Sequence, residues 1–590
     1  MFVIATAGHV DHGKSTLVKA LTGMEPDRWR EERERGLTID LGFVWATLGS
    51  GRKVAFVDVP GHEKFLGNML AGIGPAPLVC FIVAADEGWQ AQSTDHRDAL
   101  TALGISHGLV VLTRADRAER QRRDEVTAEV RTQLADTPLA DAAVVEVSAH
   151  TGEGLDRLRQ ELDALLSTVP TPDPGTRVRL WVDRSFSVKG AGTVVTGTLA
   201  AGTLRTGQRM QLLGREENHG VEIRGLHSQN QSHREIGPVN RVAVNLRGED
   251  AERVHRGDVL VTPGAWQETA VIDVRRTMGT ALDDAPRTLV IHLGTVAVEA
   301  HLRSLDPDHA RLSLDRALPL QLGDRLVLRG TGARNVLAGV QVLDVAPPEL
   351  GRRGDSARRA GTLATMPPTG DIRTEVTRRG LIAGPELTRF GIALPPTPPE
   401  GVTVLGQWWV DATLPATWRD RLRRGVTQLD PLSRGLSRKA ARDLVGCPAE
   451  LLDPVIHSAG LVDRDGFITD PQRRIDLGAA EPAIRTIEGW LREDPFVAPE
   501  ANELADLRLS TRQLAAAETA GRILRLGEIV LLPDAPQGAV AVLRGLDQPF
   551  TLSQARKALD TTRRVAVPLL EHLDELGLTR RVDAGNRVIR

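Results

Sequence analysis

The first residues whose types and spacing could do chemistry begin at the eighth position of the chain. They fit the pattern G-x-x-x-x-G-K-[ST] of a phosphate-binding loop. In such a loop glycines let the backbone turn its N–H groups toward phosphate oxygens, a lysine reaches the β- and γ-phosphates, and a hydroxyl binds Mg²⁺. The predicted nucleotide-binding residues here are Gly8, His9, Val10, Asp11, His12, Gly13, Lys14, Ser15 and Thr16.

Further polar residues follow in the order that a GTPase requires. Thr38 is placed to add a second hydroxyl to Mg²⁺, and Asp58, after the apolar run 53–57, can hold Mg²⁺ through water. The Gly61 N–H can meet the γ-phosphate, and His62 can lie beside the attacking water. Because phosphoryl transfer needs mainly positioning and charge neutralisation, these few groups are sufficient. The competing interpretation of the segment 8–15 is a glycine-rich turn without a ligand, and that of His62 is a solvated loop histidine.

Two later strand ends predict the guanine site. Asp116 follows the apolar strand 109–112 and can accept hydrogen bonds from guanine N1 and N2, while Ser148 and Ala149 follow strand 144–147 and can support the base. Open α/β sheets bind ligands at the carboxyl ends of their strands. We therefore expect all of these residues to meet at one edge of one sheet.

The segments 8–15, 35–38 and 58–62 resemble the motifs of the translational GTPases. The resemblance implies that His62 orients the hydrolytic water. It also implies that Val10 and Leu37 form a hydrophobic gate, which the ribosome rearranges.

The guanine motif departs from that family, which usually has Asn-Lys-x-Asp. Here Thr113 and Arg114 occupy the first two positions, before Ala115 and Asp116. Loss of the asparagine amide removes a contact with guanine N7 and predicts weaker nucleotide binding. Arg114 can still stack on the base, and Asp116 retains the selectivity for guanine.

The elements that must position these residues change in type along the chain. Alternating strands and helices predict an α/β P-loop GTPase domain, and short β-runs between glycine-rich turns then predict two β-barrels. A polar, Gly/Arg-rich segment predicts a linker, and a loose repeat of helices and hairpins predicts tandem, mainly α winged-helix modules. The predicted boundaries are 1–169 for the GTPase domain, 175–263 and 266–347 for the barrels, 348–368 for the linker, and 369–428, 429–472, 477–534 and 538–590 for four winged helices.

The barrel and tail sequences resemble the selenocysteine-specific elongation factors, notably at 182–198 and 241–246. The resemblance implies a selenocysteine pocket made by Asp183, Arg184 and Arg241. Selenocysteine is largely anionic at neutral pH, so fixed arginine cations favour it over neutral serine or cysteine. On residue types alone, the competing interpretation is that Asp183 forms a surface ion pair with a neighbouring residue and that Arg241 is solvated at the start of a strand.

Within the last predicted module, residues 551–590 include eight basic and five acidic residues. Its basic residues fall at the start of the second helix and on the wing, which predicts a phosphate-binding edge. The resemblance implies that this edge binds an mRNA hairpin. The predicted mRNA-binding residues are Lys557, Arg563, Arg564, Arg580 and Arg581, with solvated surface arginines as the alternative. Val565, Leu569, Leu573 and Leu576 share helical spacing and predict the buried face of the second helix.

Net charge, cysteine content and hydrophobic runs restrict the predicted location of the protein and its mode of RNA binding. A net charge of −3 over 590 residues gives no global attraction to nucleic acid, so RNA binding requires local patches. Only Cys80 and Cys447 are cysteines, which fits a reducing cytoplasm. Because the first predicted strand begins at residue 2, we expect no signal peptide, and because the apolar runs are short, we expect no membrane span.

We therefore expect a cytoplasmic, monomeric GTPase that binds GTP or GDP with Mg²⁺. Its expected partners are selenocysteyl-tRNA, an mRNA hairpin and the ribosome, which stimulates hydrolysis and where the tRNA is delivered at in-frame UGA codons. One alternative is a general elongation factor Tu-like or initiation-type GTPase. The other is a non-catalytic RNA-binding regulator, against which the intact Lys14, Thr38, Asp58 and His62 argue.

Overall fold

The computed structural model describes residues 1–26, 38, 40–190, 192–215, 218–248, 251–333 and 335–590. The chain divides into two compact units, 1–410 and 411–590. No helix in the described ranges has both the length and the apolar character needed to cross a bilayer.

The first unit begins with an α/β domain. Its strands are β1 Phe2–Ala7, β2 Gly42–Thr47, β3 Lys53–Asp58, β4 Leu78–Ala84, β5 His107–Thr113 and β6 Ala143–Glu146. Its helices are α1 Lys14–Thr22, α2 Leu66–Ile73, α3 Ala91–Leu103, α4 Arg120–Leu134 and α5 Leu155–Thr168. The sheet order is β2-β3-β1-β4-β5-β6, and only the described pair β2–β3 is antiparallel in it. Strand β4 is apolar and buried throughout because helices cover both faces of the sheet.

Two β-rich domains follow. The strands of the first are β7 Arg179–Trp181, β8 Arg184–Val188, β9 Gly192–Leu199, β10 Leu204–Arg205, β11 Arg209–Leu213, β12 Asn218–Ser228, β13 Gln231–His233, β14 Glu235–Ile236, β15 Asn240–Arg247 and β16 Val259–Val261. Those of the second are β17 Gln267–Gly279, β18 Thr288–Leu293, β19 Val296–Ser304, β20 His309–Leu320, β21 Arg325–Gly330 and β22 Ala338–Asp344, closed into a barrel. In β19, buried and exposed residues alternate, as a strand with one face on the core requires.

A small helical module completes the first unit. Its elements are α6 Asp355–Thr365, α7 Ile372–Arg379, β23 Leu381–Ala383, α8 Gly384–Arg389, β24 Val402–Leu405 and β25 Trp408–Asp411. Helix α6 lies inside the segment for which the sequence predicts a linker.

A buried carboxylate fastens this module to the closed barrel. Asp344, the last residue of β22, lies 2.7 Å from Arg378 Nη1 and 3.0 Å from Arg379 Nη2, both on α7. It also accepts a hydrogen bond from Arg359 Nη2 of α6. Burial alone would raise the pKa of Asp344, but the three arginines outweigh burial and hold that pKa below its ordinary value.

The second unit consists of helices followed by small antiparallel sheets. Its helices are α9 Leu414–Thr427, α10 Arg438–Val445, α11 Leu452–Ser458, α12 Glu481–Glu493, α13 Ala501–Asp506, α14 Thr511–Thr519, α15 Ala535–Leu543, α16 Leu552–Ala558 and α17 Arg563–Glu575. Its strands are β26 Leu436–Ser437, β27 Val462–Arg464, β28 Phe467–Thr469, β29 Leu524–Leu526, β30 Ile529–Leu531, β31 Phe550–Thr551, β32 Thr579–Arg581 and β33 Asn586–Ile589.

In the last module, α16 and α17 precede the β32–β33 hairpin, which is the arrangement of a winged helix. Val565, Leu569 and Leu573 are buried, as their spacing predicts. Leu576 is 50% exposed, so its predicted burial is wrong. It is the C-cap of α17, one position beyond the last residue of the helix. With the α/β domain and the two β-rich domains, this module confirms the predicted fold class.

Candidate functional site

The phosphate-binding loop joins β1 to α1 through backbone conformations that favour glycine. Gly8 has φ 131° and Gly13 has φ 80°. A Cβ at Gly8 would overlap the Ile82 carbonyl of β4, so a side chain has no room there. Lys14 Nζ donates to the carbonyls of Gly8 (3.1 Å) and His9 (2.7 Å), which keeps the ammonium over the loop. Thr16 follows in the first turn of α1.

The three residues predicted to hold a metal lie in one cluster. Ser15 Oγ donates to Asp58 Oδ2 (2.6 Å) and lies 3.0 Å from Thr38 Oγ1. Thr6 Oγ1 donates to the other Asp58 oxygen (2.8 Å), so the carboxylate has a fixed orientation at the end of β3. Oxygen donors suit Mg²⁺, which keeps several waters and takes the rest of its ligands from phosphates. The donor set therefore fits Mg²⁺.

The segment after β3 lies against the phosphate-binding loop. A Cβ at Gly61 would be 2.6 Å from the Val10 amide nitrogen, so glycine is required for this approach. His62 is partly exposed, and its Nδ1 accepts the Lys64 N–H (3.2 Å). The Val10 N–H donates to Gln92 Oε1 (3.0 Å). Leu37 lies outside the described residues, so the proposed gate stays a prediction.

Buried histidines support the loop from behind. His96 Nδ1, on α3, accepts the Gly8 N–H (3.0 Å), a contact that requires this nitrogen to be unprotonated. Burial, and then the nearby Lys14 charge, lowers the pKa of His96 to about 3. Burial, followed by His9, lowers the pKa of His12 to about 3 as well. Sequence reasoning missed His96 because a lone histidine in the middle of a helix carries no motif.

The guanine motif is joined to the phosphate-binding loop. Thr113 Oγ1, at the end of β5, donates to the His12 carbonyl (2.6 Å). Arg114 has φ 53°, and its guanidinium contacts Glu87 and the Asp11 carbonyl. The threonine that replaces the usual asparagine therefore still holds the loop, although it has no amide for guanine.

The second half of the guanine site is formed by two adjacent loops. The Ala115 N–H donates to the Val147 carbonyl (3.2 Å), which places the loop of Asp116 beside that of Ser148 and Ala149. A hydrogen bond from Ser148 lowers the pKa of Asp116, so this carboxylate is ionised and can only accept. Acceptance from guanine N1 and N2 requires this state.

A second cluster lies between the α/β sheet and the first β-rich domain. A cavity of about 500 Å³ is lined by both predicted pocket arginines, Arg184 and Arg241. Arg241 forms a two-pronged pair with Asp183, in which Nη2 donates to Oδ1 (2.7 Å). Only 15% of the Arg241 side chain and 7% of the Asp183 side chain are exposed. The pair is thus mostly buried, unlike the surface pair of the competing interpretation.

Residues of the α/β domain contact both arginines. The Arg241 guanidinium lies 3.7 Å from the centre of the Phe43 ring on β2. Arg184 Nη2 donates to Asp40 Oδ2 (2.7 Å). Sequence reasoning missed Asp40 and Phe43, because no local pattern shows that β2 will lie beside another domain.

The predicted mRNA-binding residues differ in their contacts. Lys557, Arg563 and Arg580 are exposed and pair with no acidic group in the described part of the chain. Arg564 donates to the Ala498 carbonyl (2.9 Å) and to Glu500 (3.1 Å). Arg581 lies 3.2 Å from Glu571 and 3.3 Å from Asp574, both on α17.

Comparison with protein families finds four matching models. They are the Elongation factor Tu GTP binding domain over residues 1–169, the Elongation factor Tu domain 2 over 192–261, the Selenocysteine-specific elongation factor beta-barrel domain over 271–349, and the Elongation factor SelB winged helix over 541–588.

Similar proteins carry related names. A selenocysteine-specific elongation factor of Escherichia coli (strain K12) is 32% identical over 98% of this chain and 97% of that protein. One of Desulfomicrobium baculatum is 36% identical over 61% of this chain and 58% of that protein. A crystal structure of bacterial selenocysteine-specific elongation factor EF-Sec, at 24% identity, has the same fold with a TM-score of 0.73 over 100% of this chain and 99% of that chain.

Proposed function

The chain belongs to the family of selenocysteine-specific elongation factors, and from this premise we propose that it delivers selenocysteyl-tRNA to the ribosome at in-frame UGA codons followed by an mRNA hairpin. It is a translational GTPase. The observation that carries the proposal is the mostly buried Asp183–Arg241 pair, with Arg184, on a cavity of about 500 Å³.

The pocket selects by charge. A selenolate meets two guanidiniums that remain charged at any physiological pH. Asp183 fixes the Arg241 guanidinium by two hydrogen bonds, so little conformational entropy is lost when the selenolate binds. Apolar neighbours such as Phe43, Phe186 and Val194 line the same cavity and lower its local dielectric. A neutral serine hydroxyl interacts less favourably with the two guanidiniums, so the pocket prefers selenocysteine to serine.

GTP hydrolysis uses groups that the fold already holds together. Lys14 and the N–H groups of the loop neutralise phosphate charge. Ser15, Thr38 and, through water, Asp58 would hold Mg²⁺, which when bound would supply positive charge to the phosphates. The Gly61 N–H meets the γ-phosphate, and His62 orients the attacking water. The ribosome stimulates the reaction by moving the gate of Val10 and Leu37, and hydrolysis releases the tRNA.

The last winged helix supplies the mRNA contact in this proposal. Lys557, Arg563 and Arg580 are exposed cations on α16, at the start of α17 and on the wing. Exposed cations of this kind follow an RNA backbone, while loop bases are recognised where they are unstacked. Because the proposed partners, the ribosome and the mRNA, are cytoplasmic, we expect the protein to act in the cytoplasm.

The experiment that tests the proposal is protection of the aminoacyl ester. One selenocysteine tRNA is charged with selenocysteine and, separately, with serine. Protein and GTP are added, and spontaneous ester hydrolysis is followed over time. We expect the protein to protect the selenocysteyl ester in preference. Hydrogen bonds to charged groups are worth about 1.5–3 kcal/mol, so Arg241→Ala lowers this preference about ten- to a hundredfold.

Arg247→Ala is the matched control. Arg247 ends the same strand, β15, but pairs with Glu222 on the protein surface. This variant should protect as the natural protein does. Equal protection of both esters by the natural protein would contradict the proposal and indicate a general tRNA carrier.

A further inference from the structure

We propose that Asp40 is a positioning residue that makes the selenocysteine preference of the pocket depend on GTP. It does so by holding Arg184 in place when Thr38 is at the nucleotide. The inference rests on the proposed function of the pocket and assigns to Asp40 a role in its specificity.

The first step is the short connection from the nucleotide site to Asp40. Thr38 Oγ1 lies 3.0 Å from Ser15 Oγ, in the cluster that binds Mg²⁺ in the proposed function. Asp40 is two residues further along the chain, and consecutive Cα atoms are about 3.8 Å apart. In GTPases the contacts of such a segment form with the γ-phosphate and Mg²⁺, and hydrolysis releases them. Because a single residue separates them, we expect a displacement of Thr38 by several ångströms to shift Asp40 as well.

The second step is the contact of Asp40 with the pocket. Asp40 Oδ2 accepts a hydrogen bond from Arg184 Nη2 (2.7 Å), and both side chains are less than one-third exposed. Within the described residues, Asp40 is the acidic residue with which Arg184 forms an ion pair. A carboxylate of the GTPase domain therefore helps to orient this pocket cation, and the same carboxylate lies 3.8 Å from Arg256 Nη1 of the β-rich domain.

The third step is the contrast with Arg241. Asp183, which lies in the same β-rich domain, holds Arg241 with both carboxylate oxygens, and Thr196 Oγ1 holds Asp183 (2.8 Å). These contacts do not involve the segment that follows Thr38. Arg241 thus has its ion pair within its own domain, although its guanidinium also lies over Phe43 of β2, while Arg184 has its ion pair with Asp40 of the GTPase domain. Of the two pocket cations, Arg184 is therefore the one whose ion pair we expect to depend on the nucleotide.

Thermodynamic linkage makes the coupling between GTP binding and selenocysteine binding reciprocal. If GTP strengthens selenocysteine binding through Arg184, selenocysteine must strengthen GTP binding by the same factor. Since one hydrogen bond between charged groups carries the coupling, we expect the factor to be about tenfold. GTP hydrolysis would then lower the affinity of the pocket for the selenocysteine side chain. This loss would add to any loss of affinity for the tRNA body.

The test measures a preference ratio. The full-length protein is loaded with a non-hydrolysable GTP analogue or with GDP, and its affinities for selenocysteyl- and seryl-tRNA are measured on the same tRNA. The ratio of the two affinities cancels effects on the tRNA body. In the natural protein we expect a ratio about tenfold higher with the analogue than with GDP. In Asp40→Asn we expect the same low ratio with both nucleotides.

Two further variants separate the inference from simple damage. Asp163→Asn removes a carboxylate at the opposite end of β2, where it binds Ser50 and Arg52, and should retain the full nucleotide dependence. Arg184→Ala should reproduce the loss seen in Asp40→Asn, and the double variant should lose no more, because the two residues act through each other.

Three results would overturn the inference. The first is a natural protein whose affinity ratio is the same with both nucleotides. The second is an Asp40→Asn variant that keeps the nucleotide dependence of the ratio. The third is an Asp40→Asn variant that binds selenocysteyl-tRNA and seryl-tRNA more weakly by the same factor. A natural protein with no preference in either nucleotide state is a different failure, because it removes the selenocysteine pocket itself and the proposed function with it.

Discussion

At the scale of single residues, neutral histidines help to shape the phosphate-binding loop. The Gly8 N–H donates to His96 Nδ1 (3.0 Å), and the centre of the His12 ring lies 5.0 Å from that of the His9 ring. A proton on His96 Nδ1 would break the first contact and put a second cation beside the lysine. The loop therefore depends on the burial that keeps both rings neutral.

Acid should destabilise the GTPase domain through these two histidines. Both have a folded pKa of about 3, against an ordinary value of 6.5. Between pH 6.5 and 3 the unfolded chain binds protons that the folded chain does not, so stability falls as the pH falls. The expected loss is about 1 kcal/mol per pH unit for each histidine. Urea unfolding at pH 7, 6 and 5 measures it.

The variant His96→Asn keeps a hydrogen-bond acceptor but removes one titrating group. Its stability should fall less steeply between pH 6.5 and 5 than that of the natural protein. An identical slope would show that His96 is not the neutral, buried group described here.

The sequence predicts residues of the nucleotide site only where they belong to a local sequence motif. The loop and Asp58 follow motifs, and Ser15, Thr38 and Asp58 do meet in one cluster. His96 comes from a helix 88 positions away from Gly8, and its role arises only when α3 packs beside β1. For Thr113 the sequence predicts a lost guanine contact, but its bond to the His12 carbonyl needs the folded geometry.

At the scale of elements, buried charge joins the closed barrel to the helices that follow it. The segment 348–368 is polar and arginine-rich, which is typical of a linker. In the structure Arg359 of that segment is 6% exposed because it pairs with Asp273 and Asp344 of the barrel. Composition cannot distinguish a solvated arginine from a paired one, since the partners are distant in sequence.

Removal of Asp344 should destabilise this junction strongly. Asp344→Ala leaves three arginine side chains without their shared carboxylate, and breaking a buried pair costs about 3–5 kcal/mol. Urea unfolding followed by tryptophan fluorescence measures the loss. Asp308→Ala is the control, because its pair with Arg276 is exposed and worth at most about 1 kcal/mol. Equal effects of the two variants would contradict a structural role for the network.

At the scale of the whole molecule, charge is balanced overall and is concentrated locally. The net charge is −3, so attraction to RNA must come from patches rather than from the protein as a whole. In the last module, Arg564 and Arg581 are already bound to acidic residues, while Lys557 and Arg563 are exposed. The residues with unpaired charge should dominate the salt dependence of RNA binding.

Arg563→Ala should therefore weaken binding of the cognate mRNA hairpin and flatten its dependence on salt. Each lost phosphate contact lowers the slope of log affinity against log salt by about 0.7–0.9. Filter binding between 50 and 200 mM salt measures the slope. Arg485→Ala, which removes an exposed arginine paired with Glu481 on α12, should leave it as it is. An unchanged slope in Arg563→Ala would mean that the RNA docks elsewhere.

The core shared by the closed barrel and the helical module determines where this chain can be divided. The Leu322 N–H donates to the Phe390 carbonyl (2.9 Å), and Leu320, Ile372 and Trp409 are buried in the same cluster. A truncation just after β22 would strip apolar cover from the barrel and leave Asp344 without its cations. Residues 411–590, which form the second compact unit, are thus the part of the chain that could be replaced without cutting the barrel core. If the proposed mRNA contact is right, exchange of residues 411–590 as one compact unit would give the GTPase a new RNA target.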